Sequence, residues 1–262
     1  MDSTVVDKIL EEVMKKVSVQ VSQQEDHISQ ESTRPRMTEF VGTAVGDSIG
    51  LVIANVDHAL HAAMGIDPKY RSIGILGART GAGPHIMAID EAVKATNTEV
   101  LAIELARDTK GGAGHGSLII LGAYDVSDAR RGIEVALKEL ERTFGDVYAS
   151  GAGHLEFQYT ARASLALEKA FNAPLGKAFG LIVGAPAAIG VVLADVAVKS
   201  ANVDVLAYSS PAKGTSFSNE VILSVSGDSG AVRQAVIAAR EAGLSLLGAL
   251  GETPKSVTQP YI

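Results

Sequence analysis

The residues of this chain that could do chemistry are gathered in two glycine-rich stretches, two spaced Asp–Lys pairs and a scatter of histidines. Gly77-Ala-Arg-Thr-Gly-Ala-Gly83 follows a short apolar run and precedes a helical pattern opened by Pro84, the order in which a phosphate-binding loop presents its backbone N–H groups. It lacks the Gly-Lys-Ser/Thr ending of such loops and the spacing of a dinucleotide fingerprint, so close backbone packing at a crowded turn explains it better. Lys110-Gly-Gly-Ala-Gly-His-Gly116 and Lys213-Gly-Thr-Ser216 stand between consecutive apolar runs, and their polar groups are mainly hydroxyls and backbone amides. Asp90 with Lys94, and Asp195 with Lys199, fall at i,i+4, with Asn97 and Asn202 one turn further on the same face. Taken alone, each pair is a solvated helical ion pair worth about 0.3–0.5 kcal/mol. His58 and His61 lie three apart on a helical pattern, while His85, His115 and His154 fall on turns and strand ends as surface or capping residues. Metal ligation needs a convergent third ligand that this spacing does not supply, so no metal is expected. With no cysteine and no Ser, His and acid set at a nucleophile elbow, the sequence presents no catalytic set and implies no cofactor.

These residues are positioned by a tandem repeat. Asp90-Glu-Ala-Val-Lys-Ala-Thr-Asn-Thr-Glu-Val100 and Asp195-Val-Ala-Val-Lys-Ser-Ala-Asn-Val-Asp-Val205 share Asp, Ala, Val, Lys, Asn and Val at equivalent places. Ser72–Leu76 parallels Ala178–Ile182, Leu118–Leu121 parallels Val221–Ser224, and Asp125 with Ala129-Arg130 parallels Asp228 with Val232-Arg233. A period of roughly 105 residues is far longer than that of solenoid repeats, so each copy is expected to be a small domain with its own core.

Composition bounds what two such domains do. The 262 residues are 47% hydrophobic and 20% charged, an ordinary globular balance. A net charge of -7 without a Lys/Arg cluster argues against nucleic acid as a partner. The longest uncharged run, 178–194, is broken by Pro186 and several glycines, and its repeat partner carries Arg79 and Asp90, so a buried strand and helix is expected and no membrane span. The absence of cysteine fits a reducing cytoplasm.

Along the chain, residues 1–18 form an amphipathic helix with Val6, Ile9, Leu10, Val13 and Val17 on one face, and 19–37 are a polar tether poor in apolar residues. Two uses of the helix stand: an arm packed on its own domain, or a docking peptide for a partner, since so short a helix is marginal in water until its apolar face is covered. The first domain is expected over 38–147, with strands at 40–45, 51 onward, 71–76, 99–105 and 115–121 and helices reaching 64 and over 84–97 and 125–142, the last capped by Asp125. The second, 148–252, repeats that order with strands at 155–160, 178–183, 203–208 and 219–225, helices at 163–171, 186–202 and 228–242, and a last strand near 246–250. Residues 253–262 read as a tail. Adjacent hairpins with a helix pair favour an α+β fold, an antiparallel sheet with helices on one face, over a doubly wound parallel sheet.

Phe179-Gly-Leu-Ile, Ala194-Asp195, Lys199-Ser-Ala-Asn202-Val and Ser226-Gly-Asp228-Ser-Gly-Ala-Val232 resemble the signature of bacterial microcompartment shell domains. The strand and helix ahead of each signature would follow it in simpler members, an order similar to the circularly permuted tandem type. That resemblance implies a ferredoxin-like α+β domain pair, a homotrimer mimicking a hexagon, and a structural, non-enzymatic place in a microcompartment shell within the cytoplasm. It implies tiling with other shell proteins around enzymes of propanediol or related alcohol metabolism, and no cofactor. By resemblance Lys94, Asn97, Lys199 and Asn202 lie at tile edges. The loops carrying Lys110, Gly111, Gly112 and His115, and Lys213, Gly214, Thr215 and Ser216, correspond to pore loops, lining either a central pore or smaller channels within each subunit for small neutral polar metabolites such as a diol, glycerol or an aldehyde. A different class of protein, a trimeric cytoplasmic ligand-binding protein using the glycine-rich loops, is the alternative.

Overall fold

The computed structural model describes residues 37–107 and 114–262. The amphipathic helix expected at 1–18, nearly all of the tether, and Lys110, Gly111 and Gly112 lie outside the described residues. The chain divides into two units, Met1–Phe40 and Val41–Ile262. In the first, Met37–Phe40 forms a turn in which the Phe40 N–H donates to the Met37 carbonyl at 3.2 Å.

Apolar runs of strand length alternate with helical patterns twice in the second unit, and the structure follows both. The first repeat runs β1 (Phe40–Ala44), β2 (Ser48–Ile53), α1 (His58–Met64), β3 (Ser72–Ala78), α2 (Gly83–Ala95), β4 (Glu99–Glu104), β5 (Ser117–Ala123) and α3 (Val126–Thr143). The second runs β6 (Val147–Ser150), β7 (Gly153–Thr160), α4 (Leu165–Phe171), β8 (Ala178–Ala185), α5 (Ala187–Ser200), β9 (Asp204–Ser209), β10 (Val221–Gly227) and α6 (Ser229–Gly248), with β11 (Lys255–Ser256) closing its edge. The sheets have the orders β1-β2-β3-β5-β4 and β11-β6-β7-β8-β10-β9. The ladders from β2 across to β4, and those from β11 across to β9, are antiparallel.

Register aligns the two repeats more finely than their residue types do. Gly74 faces Leu121 across β3–β5, and Gly180 faces Val225 across β8–β10. Both glycines lie under a helix: a Cβ on Gly74 would stand 2.7 Å from Ile133 Cγ1 of α3, and one on Gly180 would stand 2.9 Å from Val236 Cγ2 of α6. The helices therefore seat at equivalent places, and Gly74 and Gly180 are counterparts. From there, Gly77↔Leu118 matches Val183↔Ile222, so Leu118 corresponds to Ile222 and the alignment of that strand by residue type, which paired Leu118 with Val221, is off by one.

Alternation along each strand sorts the two sheet faces. In the first sheet Leu76, Ile119 and Leu121 join the helix-side core with Ile133 and Leu140, while Ile73 and Ile120 pack on the reverse face with Val56 from the α1 connection. In the second sheet Leu155, Phe157 and Ile182 pack beneath α5 and α6, but Phe179, Leu181 and Val183 on the reverse face belong to the same cluster as Ile86, Met87 and Ile89 of α2. The expectation of two self-contained cores is corrected accordingly. The second sheet is covered on one side by its own helices and on the other by α2 of the first repeat together with α4.

Three further expectations change. No strand forms near 246–250, because α6 continues to Gly248 and so keeps Leu247 buried in the core. Asp125 stands at the N-cap position of α3 but its side chain accepts no cap bond, whereas Asp228 accepts from the N–H groups of Gly230 and Ala231 at 2.9 and 3.4 Å. The four-residue β6 was not expected: only two of its residues are buried and one turn joins it to β7, so its pattern is too short to stand out.

The tail is irregular but anchored. Fully buried Asp146 accepts from the backbone N–H groups of Tyr261 at 2.8 Å and Ile262 at 3.0 Å, and Arg240 Nη1 donates to its other oxygen at 2.6 Å. Burial raises the Tyr261 phenol to about 12, so it stays protonated and donates to Gln158 Oε1 at 3.3 Å. Replacing Asp146 by alanine strands a mostly buried arginine and frees the tail. The expected cost is about 3–5 kcal/mol, read as a fall in the thermal midpoint with faster amide exchange at Tyr261 and Ile262.

Candidate functional site

The seam between the repeats gathers three buried carboxylates, Asp90, Glu156 and Glu220, and two buried histidines, His115 and His154. α2 lies across β7 and touches α4, and α4 touches β4. Asp90, fully buried in the middle of α2, accepts from the Ser164 N–H at 3.0 Å and the Ser164 hydroxyl at 2.5 Å, tying α2 to the residue that opens α4. Its other oxygen lies 2.7 Å from Lys94 Nζ. Within the seam, His154 Nε2 stands 2.7 Å from Glu156 Oε1, and His115 Nδ1 stands 2.5 Å from Glu220 Oε1, all four side chains buried. Together with Leu105, Phe171 and Leu181, the residues His115, Glu156 and Glu220 line a cavity of about 30 Å³, room for a water.

The glycine-rich stretches find their reason here. A Cβ on Gly81, whose φ is +66°, would lie 2.4 Å from Glu156 Oε1, and one on Gly83 would lie 2.7 Å from Glu156 Oε2. A Cβ on Gly114 would overlap the Glu220 carboxylate at 1.7 Å. Each loop makes room for a carboxylate of the second repeat. A phosphate placed at 81–83 would meet that negative charge, which removes the physical basis for using this loop as an anion site.

Of the described histidines only His58 is at the surface as expected. His61, His85, His115 and His154 are buried, and among the described residues no group of three or more His, Cys, Asp or Glu could hold a metal ion. His85 sits between the Gly81 carbonyl, 2.8 Å from Nδ1, and the Ser48 hydroxyl, 2.7 Å from Nε2. Burial lowers its pKa to about 4, against the smaller opposing pull of the Gly81 carbonyl and Glu156. A neutral ring follows, donating from Nδ1 to the Gly81 carbonyl, while the single Ser48 hydroxyl proton lies between two neighbours at 2.7 Å, His85 Nε2 and the Val45 carbonyl.

The Asp–Lys pairs, alike in sequence, part company in the structure. Lys94 folds back onto Asp90 and onto Glu91 Oε1 at 2.9 Å, whereas Lys199 reaches Asp195 at 2.7 Å with both side chains mostly exposed. The solvated-pair description fits only the second. Asn97 and Asn202 are exposed after α2 and α5. In the second loop Lys213, Gly214 and Ser216 are exposed, while Thr215 is buried and its hydroxyl donates to the Ser218 carbonyl at 3.1 Å. Sequence reasoning missed Asp146, Glu156, Ser164 and Glu220; the one signal available was an acidic residue at a strand position that alternation turns inward.

Equivalent residues of the two repeats also differ in exposure. Ile86 and Met87 of α2, each 1% exposed, correspond to Val191 and Val192 of α5, which are 50% and 44% exposed. Leu167 of α4 is fully buried, and its counterpart Leu60 of α1 is 41% exposed. Glu156 pairs with Val183, as Ile49 pairs with Gly77, so these two correspond, and Ile49 is 40% exposed against 4%. What the seam covers once within the chain is left open at the chain's two ends.

Residues 72–151 and 178–253 match the family model described as BMC domain, each match opening on β3 or β8 and so after the first two strands of the repeat. The chain belongs to the BMC domain family. This BMC chain is 66% identical over 266 residues to a bacterial microcompartment shell protein PduB of Citrobacter freundii, covering 97% of this chain and 98% of that one. It is similar to the crystal structure of EtuB from Clostridium kluyveri, with a TM-score of 0.84 and 58% identity over 87% of this chain and 100% of that one. A crystal structure of a trimeric bacterial microcompartment shell protein PduB superposes with a TM-score of 0.83 at 56% identity, covering 86% of this chain and all of that one. Among the described residues of the BMC pair no helix is long and apolar enough to cross a membrane.

His85 gives the BMC pair an acid limit. Because its folded pKa of about 4 lies below the ordinary 6.5, the unfolded chain binds the extra proton first. The stabilisation is therefore whole above pH 6.5 and is lost as pH falls toward 4, amounting to about 3 kcal/mol. Thermal midpoints across that window should fall for the native chain and fall less steeply for His85→Asn.

Proposed function

We propose that the chain is a structural shell protein that closes into a homotrimer of hexagonal outline and tiles, with other shell proteins, the wall of a bacterial microcompartment in the cytoplasm. The observation that carries this is the matched exposure of the two repeats. The apolar side chains of α5 and β9 that water reaches, Val191, Val192, Val198, Val205 and Tyr208, are the counterparts of Ile86, Met87, Val93, Val100 and Ile103, which the seam covers or partly covers. Their complement is open too: Ile49, Leu60 and Met64 are exposed where Glu156, Leu167 and Phe171 receive α2 and β4. A surface and its complement at opposite ends of one chain make a head-to-tail contact, which closes into a ring when the rotation permits. Three copies of a two-domain chain give a ring of six, in keeping with the trimeric PduB relative.

Ser218 Oγ lies 3.4 Å from the Gly114 carbonyl, and these two residues hold equivalent positions in the loops ahead of β10 and β5. Equivalent points related by rotation come this close only near the rotation axis. The two loops thus meet at the centre of the proposed tile and crowd it, which directs a small neutral polar solute, a diol, glycerol or an aldehyde, to the seam cavity beside Glu156, Glu220 and His115 instead. At about 30 Å³ that cavity has room for a water, and passage of a diol requires the seam to widen. Exposed Lys199 and Asn202 are offered as edge residues toward neighbouring tiles, with Lys94 and Asn97 at the alternate edges. A long stem with a charged tip can lie flat there and donate to facing carbonyls. No catalytic role is assigned to any residue. Residues 1–18 are proposed to hold cargo enzymes.

Native mass measurement and electron microscopy at rising concentration test the tile. Trimers of hexagonal outline are expected, and a carboxylate in the apolar face, Val192→Asp, should leave folded monomers; a native chain that stays monomeric ends the reading. In trimers that form sheets, Lys199→Ala with Lys94→Ala should abolish the sheets and leave the trimers. Removing residues 1–36 should preserve tiling while cargo recovered with purified shells falls; unchanged recovery removes the docking role.

A further inference from the structure

The seam within the chain and the contact proposed between chains have one geometry and different chemistry. Within the chain, buried Glu156 is held by His154 and enters the space left by Gly81 and Gly83. Asp90 and Asp195 are counterparts on α2 and α5, so Gly83 corresponds to Ala188, and Gly81, just ahead of α2, corresponds to Pro186 or Ala187 at the start of α5. The contact between chains therefore offers Ile49 where the seam has Glu156, and two residues with side chains where the seam has two glycines. Both sides of the joint have changed, and in compensating directions. A carboxylate against two glycines becomes a branched hydrocarbon against two side chains.

Mixed pairings fail on both counts. A carboxylate facing Ala188 meets a Cβ at a position where, by the Gly83 geometry, only 2.7 Å separates it from Oε2. It must then lose its place or stay buried without its partner, which is strongly unfavourable. An isoleucine facing Gly81 and Gly83 leaves a void and fills no polar need. We propose that Glu156 and Ile49 are specificity determinants that decide which helix seats on which sheet. α2 accepts only the second-repeat sheet, α5 accepts only the first-repeat sheet of another copy, and the ring closes only as alternating repeats of this chain. Neighbouring shell proteins of the same fold are excluded from the ring unless they carry the same complement, which is specificity by mismatch as much as by fit. The proposal rests on the trimeric reading for its partner but has its own evidence within the chain.

The full chain is tested at both joints. Ile49→Glu should raise the concentration at which trimers form by more than about tenfold, with an unchanged circular dichroism spectrum, while Ile49→Leu assembles as the native chain does. Within the chain, Gly83→Ala should lower the thermal midpoint, and the loss should shrink when Glu156→Ile is added, since that pair reproduces the joint between chains. Native-like assembly of I49E overturns the determinant at 49. A G83A loss of the same size with and without E156I overturns the determinant at 156. Because the second comparison is made inside one chain, it judges the key even if the native chain proves monomeric, an outcome that would count against the trimer alone.

Discussion

The docking of α2 onto the reverse face of the second sheet is the contact on which the rest of the molecule depends. A sheet with apolar side chains on both faces must have both covered, and neither repeat supplies two covers. The helices of each repeat occupy one face. Phe179, Leu181 and Val183 on the other are removed from water because the first repeat lends α2 alongside the short α4 of their own repeat. At about 25 cal/mol per Å² of apolar surface removed from water, such a contact contributes enough to decide how the repeats sit. The first sheet has the same need and no donor within the chain, apart from the short α1 connection that covers Ile73 and Ile120.

Buried charge refines that contact without being its main source of stability. Asp90, Asp146, Glu156 and Glu220 are all inside, each with a cation, a histidine or backbone N–H groups against it. A buried pair gains little over well-packed hydrocarbon of the same shape, but losing one member is costly. Such groups therefore discriminate between arrangements more than they strengthen one. Asp90 shows this in a single residue: its oxygen fits the N–H and hydroxyl of Ser164, which opens α4, and the equivalent residue before α1 is Asp57, whose own carboxylate caps Ala59 at 2.8 Å.

Much of the fold was legible because its signals are local. The Asp-x-x-x-Lys-x-x-Asn repetition fixed the period, and the apolar runs gave nearly every strand and helix. What escaped was set by contacts distant in the chain. β6 is too short to show a pattern, and α6 extends past its expected end because Leu247 meets the core of a sheet nearly a hundred residues upstream. Gly77–Gly83 read correctly as a crowded turn, but its occupant could not be read, since Glu156 reaches it from the other repeat, as Glu220 reaches Gly114. The histidines were misplaced for the same reason: polar partners at His85 and His115 come from Ser48 and Glu220, far away in sequence.

The two Asp–Lys pairs show why a duplicated sequence need not give duplicated surfaces. Lys94 and Lys199 follow their aspartates by the same four residues, yet Asp90 is drawn inside by α4 and takes the Lys94 tip with it, while Asp195 faces water and its pair with Lys199 stays solvated. Glu91 adds a second anion beside Lys94, and its counterpart is Val196, so Lys199 has one carboxylate to leave and Lys94 has two. In the proposed ring the place of Ser164 is taken by Asp57 of the next copy, so the two donors that draw Asp90 inside have no counterpart at Asp195, and the two proposed edge lysines keep different surroundings even when the ring is closed.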